Sequence, residues 1–203
     1  VYGKNQKGLV KENQKATPFN AYGMTHLLSE EICNYYNRKL NAYCVNIRLS
    51  NSYGEPFLRD RKCWSLVVND LVKTAFENKK IVLKSDGNIY RDFIHYTDVC
   101  YGINKLINQS QPKNKNTFNF CSSKTIKLID LALVVKYIYK IKYGDEIPIF
   151  INEDQLFVEK DSNNYNYKST LPNNLIGSEY ISLTRKIEDG VNDLFIYLEE
   201  NSL

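Results

Sequence analysis

The sequence predicts an α/β fold with a largely parallel sheet, and three observations carry that prediction. Short β-prone runs recur along the 203 residues. Longer stretches with apolar residues at helical spacing separate them. No internal repeat interrupts the alternation, and a chain of this length can bury a core of its own.

The elements follow in order. Residues 1–20 are polar and carry a turn signal at Thr17-Pro18, so they read as a loop. From Tyr22 to about Lys39, the residues Leu27, Leu28, Ile32, Tyr35 and Tyr36 recur with near-helical spacing. Ala42 to Leu49 is β-prone and short enough for a buried strand. A polar segment with Gly54 and Pro56 leads to a second helical pattern from about Trp64 to Glu77. Ile81-Val82-Leu83 is a strand, Asp86-Gly87 a turn, and Arg91 to Ile94 another short strand. A helix capped by Thr97 or Asp98 runs to Ile107. Phe118 to Phe120 is a strand, Thr125 to Tyr139 a helix, and Ile147 to Ile151 a strand. The Asn-rich stretch from Asn152 to Asn174 reads as a loop, and a last helix spans Leu183 to Leu198.

Composition narrows the function. The net charge is only +4 and no basic stripe interleaves with aromatic residues, so nucleic acid is not the expected partner. No apolar run is long enough to span a bilayer, and Val1 to Asn5 shows no signal-peptide pattern. Five cysteines without Cys-x-x-Cys spacing read as buried thiols in a reducing cytoplasm. With His26 and His95 the only histidines, no metal site is expected.

Three short motifs carry chemistry. Tyr22 and His26 are four apart on a helix, so they face one site. A tyrosine acts as acid or base at neutral pH only if its pKa falls from about 10, and a cation at the next turn helps lower it. The pair is either such a proton-transfer unit or two surface residues. Asn51-Ser52-Tyr53-Gly54 follows a predicted strand, where open parallel sheets place ligands. It is either a binding turn or an ordinary strand end. Arg91 either grips a phosphate through its planar guanidinium or pairs with Asp92 or another carboxylate.

In order along the chain, several motifs together resemble the extended short-chain dehydrogenase/reductase family. They are Val1-Tyr2-Gly3, Thr17-Pro18-Phe19-Asn20-Ala21-Tyr22, Arg48 to Gly54, Asp86-Gly87 and Arg91 to Val99. The pattern is most similar to the NAD-dependent sugar-nucleotide epimerases and dehydratases. That resemblance implies the C-terminal part of a Rossmann-type parallel sheet with a small α/β substrate-binding subdomain. The Rossmann part would be mainly residues 1–50 and about 80–120, and the substrate subdomain mainly 51–80 and 121–203. It implies Tyr22 as catalytic acid/base, with His26 beside it, and Tyr22, His26 and Ser50 against an NAD or NADP cofactor. It implies Asn51, Leu66, Val67 and Arg91 as contacts for a nucleotide-sugar substrate, with Arg91 holding its phosphates. It also implies a homodimer when full length and a cytoplasmic enzyme of polysaccharide or glycan precursor synthesis.

The sequence departs from that family in three places. Nothing like Gly-x-x-Gly-x-x-Gly precedes Tyr22, so about 120 residues of βα units would be missing, and the 203 residues alone are expected to be inactive. His26 stands where the family has lysine, and histidine is mostly neutral at pH 7. At about 1.4 kcal/mol per pKa unit, a two-unit loss of tyrosine activation slows the proton step by up to about a hundredfold. Between Val158 and Ser169, Lys160-Asp161 and Lys168 do not match the family's nucleotide-holding Arg and Asp. The expected function is therefore a sugar-nucleotide epimerase, dehydratase or reductase. The alternative is a non-catalytic sugar-nucleotide-binding relative or an inactive truncated fragment.

Overall fold

The computed structural model describes residues 1–3, 10–40, 43–57, 62–108, 116–152, 155–156 and 185–201. Most of the Asn-rich stretch, with Lys160, Asp161 and Lys168, lies outside the described residues, as does the predicted start of the last helix at Leu183.

The first helix, α1 (Ala21–Leu40), starts because Asn20 caps it: the Gly23 N–H donates to Asn20 Oδ1 at 2.9 Å. Two strands follow almost without pause, β1 (Asn46–Leu49) and β2 (Asn51–Tyr53). The predicted strand from Ala42 thus begins later, and the motif read as a strand-end turn is a second strand. After a 3-10 turn at Lys62–Ser65 comes α2 (Val67–Asn78), closed by Lys79 in the left-handed conformation. Then come β3 (Ile81–Leu83), β4 (Tyr90–His95) and α3 (Tyr96–Asn108). The helix α3 starts directly on the strand, one residue before the predicted cap.

The second half holds β5 (Thr117–Phe120), β6 (Thr125–Lys127), α4 (Leu128–Tyr143), β7 (Ile149–Ile151), β8 (Gln155–Leu156) and α5 (Ile187–Asn201). Thr125 to Lys127 was expected to open a helix and instead pairs with β4. Their backbone N–H and C=O groups complete a ladder there, which outweighs an earlier helix start. Gly144, at φ 80°, ends α4 in the left-handed region that a β-carbon disfavours. The short strand β8 lies inside the stretch read as loop.

The expected single sheet is three small ones among the described residues. Parallel pairs β1–β5, β2–β4 and β3–β7 form their centres, and β6 and β8 add antiparallel to β4 and β7. The larger core lies between α2, α4 and α5 and includes Val68, Val72, Leu131, Val135, Leu194 and Phe195. A smaller core of Ile94, Phe118 and Phe120 lies under β1–β5 and α3. The cysteines expected to be buried are not: four are half-buried and Cys100 is exposed. Among the described residues no helix is long and apolar enough to cross a membrane.

Asn69 locks α2 to the turn after β2. Its fully buried carboxamide accepts from the Gly54 N–H at 3.2 Å and donates to the Gly54 C=O at 2.8 Å. Gly54 itself has φ 136°, and a β-carbon there would strike the Tyr96 ring at 2.3 Å. Replacing Asn69→Ala strands two buried backbone groups at about 1–3 kcal/mol each. Urea denaturation is expected to show a loss of roughly 2–4 kcal/mol; a loss under 1 kcal/mol would mean the turn re-pairs elsewhere.

Candidate functional site

Asp92 organises the strand ends. In β4 it alternates with Arg91 and Phe93, so its side chain takes the opposite face from theirs. Its carboxylate accepts from Ser50 Oγ at 2.7 Å, from the Ser122 N–H at 2.9 Å and from Ser122 Oγ at 3.0 Å. Its backbone carbonyl accepts from Asn51 Nδ2 at 2.9 Å. Burial pushes the Asp92 carboxyl above its ordinary value against the pull of these hydrogen bonds. Ser50 and Asn51 are thus held to β4 by direct bonds, and the Ser50 N–H also donates to the Phe120 carbonyl at 2.8 Å.

Arg91 emerges on the other face of β4. Asn51 stands in register with Phe93, so Asn51 and Arg91 share that face, two residues apart along the ladder. Arg91 is exposed, and its guanidinium has no ion-pair partner among the described residues. The alternative in which it pairs with Asp92 does not hold, because the two side chains leave the strand on opposite faces. The arrangement can bind an anion: a free guanidinium with a carboxamide anchored beside it.

The helical pair stands apart. Tyr22 and His26 lie on the first two turns of α1 with rings in edge contact, centroids 4.5 Å apart. Tyr22 is 73% exposed, and neither its hydroxyl nor the His26 ring nitrogens have a hydrogen-bond partner among the described residues. Leu66 and Val67 sit exposed at the head of α2, leaving an apolar margin. The structure therefore bonds Ser50, Asn51 and β4 into one unit, and places Tyr22–His26 and Leu66–Val67 on the starts of two helices.

Sequence reasoning missed a second cluster. His95 is 1% exposed, with ring nitrogen Nδ1 2.7 Å from Thr97 Oγ1 and Nε2 3.5 Å from Glu55 Oε2. Asp193 of α5 joins them, the ligand atoms of all three lying within 4.8 Å. These are metal-ligand types; Asp193 is engaged by Arg185, while His95 Nε2 and Glu55 Oε2 face each other buried and without a hydrogen-bond partner among the described residues. The Thr97 N–H also donates to Nδ1, at 3.4 Å, which assigns the ring proton to Nε2, facing Glu55. Arg185 already pairs with Asp193, and the Arg185 N–H donates to Asp98 Oδ2 at 3.0 Å. Burial holds His95 below its ordinary pKa, against the attraction of Glu55. For Glu55 burial acts upward, but its backbone N–H, the Tyr96 hydroxyl at 2.8 Å and His95 together bring it down. The only sequence signal for this cluster was an apolar strand ending in a histidine.

Comparison with known proteins agrees with this architecture. Residues 1–121 match the model of the NAD dependent epimerase/dehydratase family. An uncharacterized UDP-glucose epimerase of Bacillus subtilis, YtcB, is 30% identical over 107 residues, which are 53% of this chain and 32% of that protein. The UDP-glucuronic acid 4-epimerase of Bacillus cereus, solved in complex with NAD, superposes with a TM-score of 0.72 at 19% identity, covering 98% of this chain and 58% of its own. RMD from Pseudomonas aeruginosa, complexed with NADPH, gives 0.70 at 16% identity over 99% of this chain and 64% of its own. The chain thus spans a third to two thirds of the proteins it matches.

The buried His95 makes stability depend on pH. Its pKa is depressed in the fold, so its contribution is present above the unfolded value of 6.5 and lost as pH falls through the folded value. Urea midpoints measured from pH 7.5 to 5 are expected to fall with acid, and His95→Gln is expected to flatten that slope. An unchanged slope in the variant would assign the acid sensitivity to other groups.

Proposed function

The chain belongs to the NAD-dependent epimerase/dehydratase family, and from that premise we propose that it is the substrate-facing portion of an enzyme that epimerises, dehydrates or reduces a sugar nucleotide. The observation that carries the reading is Arg91, without an ion-pair partner among the described residues, beside the anchored Asn51 on one face of the β2–β4 pair. A guanidinium there donates from its planar fork to two phosphate oxygens, and the carboxamide adds a neutral hydrogen bond. Leu66 and Val67 give the nucleotide an apolar margin at the head of α2.

Tyr22 is the acid/base. Its hydroxyl exchanges a proton with a sugar hydroxyl, and His26, one turn on, hydrogen-bonds a ribose and orients the phenol. The residues present fit a dinucleotide: the exposed Tyr22–His26 pair keeps its polar atoms uncommitted, as a bound ribose requires. NAD or NADP, when bound, supplies the hydride acceptor and donor. Ser50 gives its proton to Asp92, so beside that cofactor it acts as an acceptor and a spacer.

In this reading residues 1–50 and about 80–120 belong to the dinucleotide-binding part, and 51–80 and 121–203 to the substrate part. The smaller and larger hydrophobic cores support that division, although Ile81, Leu83 and Phe93 pack with the larger one. The exposed residues Leu28, Ile32, Tyr35 and Tyr36 on α1 support a homodimer of the complete enzyme. A cytoplasmic role in glycan precursor synthesis completes the proposal. His26 in place of lysine favours one second reading, a relative that binds sugar nucleotides without turning them over.

Two sets of variants test this in the protein that joins these residues to a glycine-rich half. Tyr22→Phe is expected to lower turnover by about 10²–10⁴-fold with little change in substrate affinity. Arg91→Ala is expected to raise KM or the nucleotide-diphosphate Kd about 10–100-fold, the worth of a charged hydrogen-bonding pair. Turnover that survives Tyr22→Phe sinks the acid/base assignment. His26→Lys separates the readings: a tuned enzyme loses rate or shifts its pH profile, whereas a binding protein retains affinity and shows no turnover before or after.

A further inference from the structure

The lower half of α1 and the segment ahead of β1 each carry one thiol that the proposed chemistry does not use. Cys33 lies one helical turn before Asn37, on the same face. The Asn37 carboxamide accepts from the Cys44 N–H at 2.6 Å and donates to the Cys44 carbonyl at 2.8 Å. These two bonds pin the backbone just ahead of β1 against the last turns of the helix. They set the Cys44 backbone beside the turn of the helix that carries Cys33, and the neighbouring Cys44 raises the Cys33 pKa after burial does. Both cysteines are reduced and half-exposed, so a small reagent reaches them. The remaining cysteines sit on other elements: Cys63 ahead of α2, Cys100 within α3 and Cys121 after β5.

We propose that Cys33 and Cys44 form a dithiol modification site that reacts with low-molecular-weight disulfides and closes to an intramolecular disulfide. One protein thiol loses its proton, and its sulfur attacks the external disulfide. A mixed disulfide forms and one reduced small thiol leaves. The second protein thiol, also deprotonated, attacks the protein-bound sulfur and expels the other small thiol. The two cysteines lose two electrons and two protons in total, and the external disulfide is reduced to two thiols. Burial and the neighbouring Cys44 hold the Cys33 thiol above its ordinary range, so closure is slow near neutral pH and accelerates as pH rises.

The bond would join the helix that carries Tyr22 to the strand that runs into Asn51. It restricts the unfolded chain as well, so the oxidised form melts at higher temperature. The inference does not depend on the catalytic reading, because its readout is chemical.

The test treats the folded 203-residue chain with oxidised glutathione and digests it with trypsin without reductant. Cleavage at Lys15, Arg38, Lys39 and Arg48 puts the two cysteines on separate peptides, Ala16–Arg38 and Leu40–Arg48. The expected product is one species joining these peptides, lighter than their sum by two hydrogens and split by dithiothreitol. Free thiols fall from five toward three. Cys33→Ser is expected to leave Cys44 only as a glutathione adduct, and the same reaction in denaturant to give a mixture of pairings. Peptides that stay separate, glutathione adducts that persist on Cys33 or Cys44 of the unmutated chain, or equal pairing with Cys63, Cys100 or Cys121 would overturn the proposal. The digest of the unmutated chain decides this even where the serine variant fails to fold.

Discussion

The carboxylate of Asp92 is the constraint on which the strand ends depend. Three donors converge on it from two segments that are far apart in sequence, at Ser50 and at Ser122, and its own carbonyl holds Asn51. Taking a carboxylate out of water costs several kcal/mol unless hydrogen bonds replace its hydration. The raised pKa is the residue of that cost: burial remains ahead of the three donors. In return, the strand carrying Arg91 cannot slide or rotate relative to the segment carrying Ser50 and Asn51. A one-residue slip would exchange the faces of Arg91 and Asp92, burying the cation and exposing the hub.

A different logic governs α1. Its inner ridge is polar: Glu30 forms a two-point ion pair with Arg48 of β1 at 2.8 and 2.6 Å, Asn34 accepts from Asn116, and Asn37 brackets Cys44. Its apolar residues point away, with Leu28, Ile32, Tyr35 and Tyr36 about half exposed. Ile47 and Leu49 of β1 are exposed as well, and β1 pairs on one side only among the described residues. Polar bonds fix where the helix lies, while most of its hydrophobic area is left for another surface. Area of this kind marks an interface, and an unpaired parallel strand beside it suits an additional βα layer.

The sequence made the order and type of most elements legible, because their apolar periodicity was strong. It failed where tertiary pairing outweighed local pattern. Thr125 to Lys127 became a strand because β4 offered it a ladder, and Asn51 to Tyr53 did so for the same reason. The candidate site residues were legible only as a spaced set of motifs, and their roles remain those of the proposal. Local pattern left Arg91 open between phosphate and Asp92, and strand alternation is what separates them. The Glu55–His95–Asp193 cluster was not legible at all. Its members come from β4, the turn after β2 and α5, and nothing in their spacing reports that the last helix folds back over the first strands.

The site is built unequally, and the inequality has a physical cause. On the strand side Ser50, Asn51, Asp92 and Ser122 are already bonded to one another, so an anionic ligand at Arg91 would meet a rigid surface and its binding would lose little to ordering. On the helix side Tyr22 and His26 hold only each other among the described residues, through an edge contact between rings, on a helix bonded through Glu30, Asn34 and Asn37 to β1 and to the residues leading into β1 and β5. Asn20 fixes the backbone of that first turn but not the phenol. The geometry that the proposed proton transfer needs is therefore not complete among the described residues. It requires a surface that packs against the head of α1 and limits the phenol to one rotamer, which is the same surface that the bare apolar ridge and the open strand β1 call for. In the proposed reading, recognition of the phosphates rests on the bonded strand ends, whereas the chemistry depends on a surface over α1.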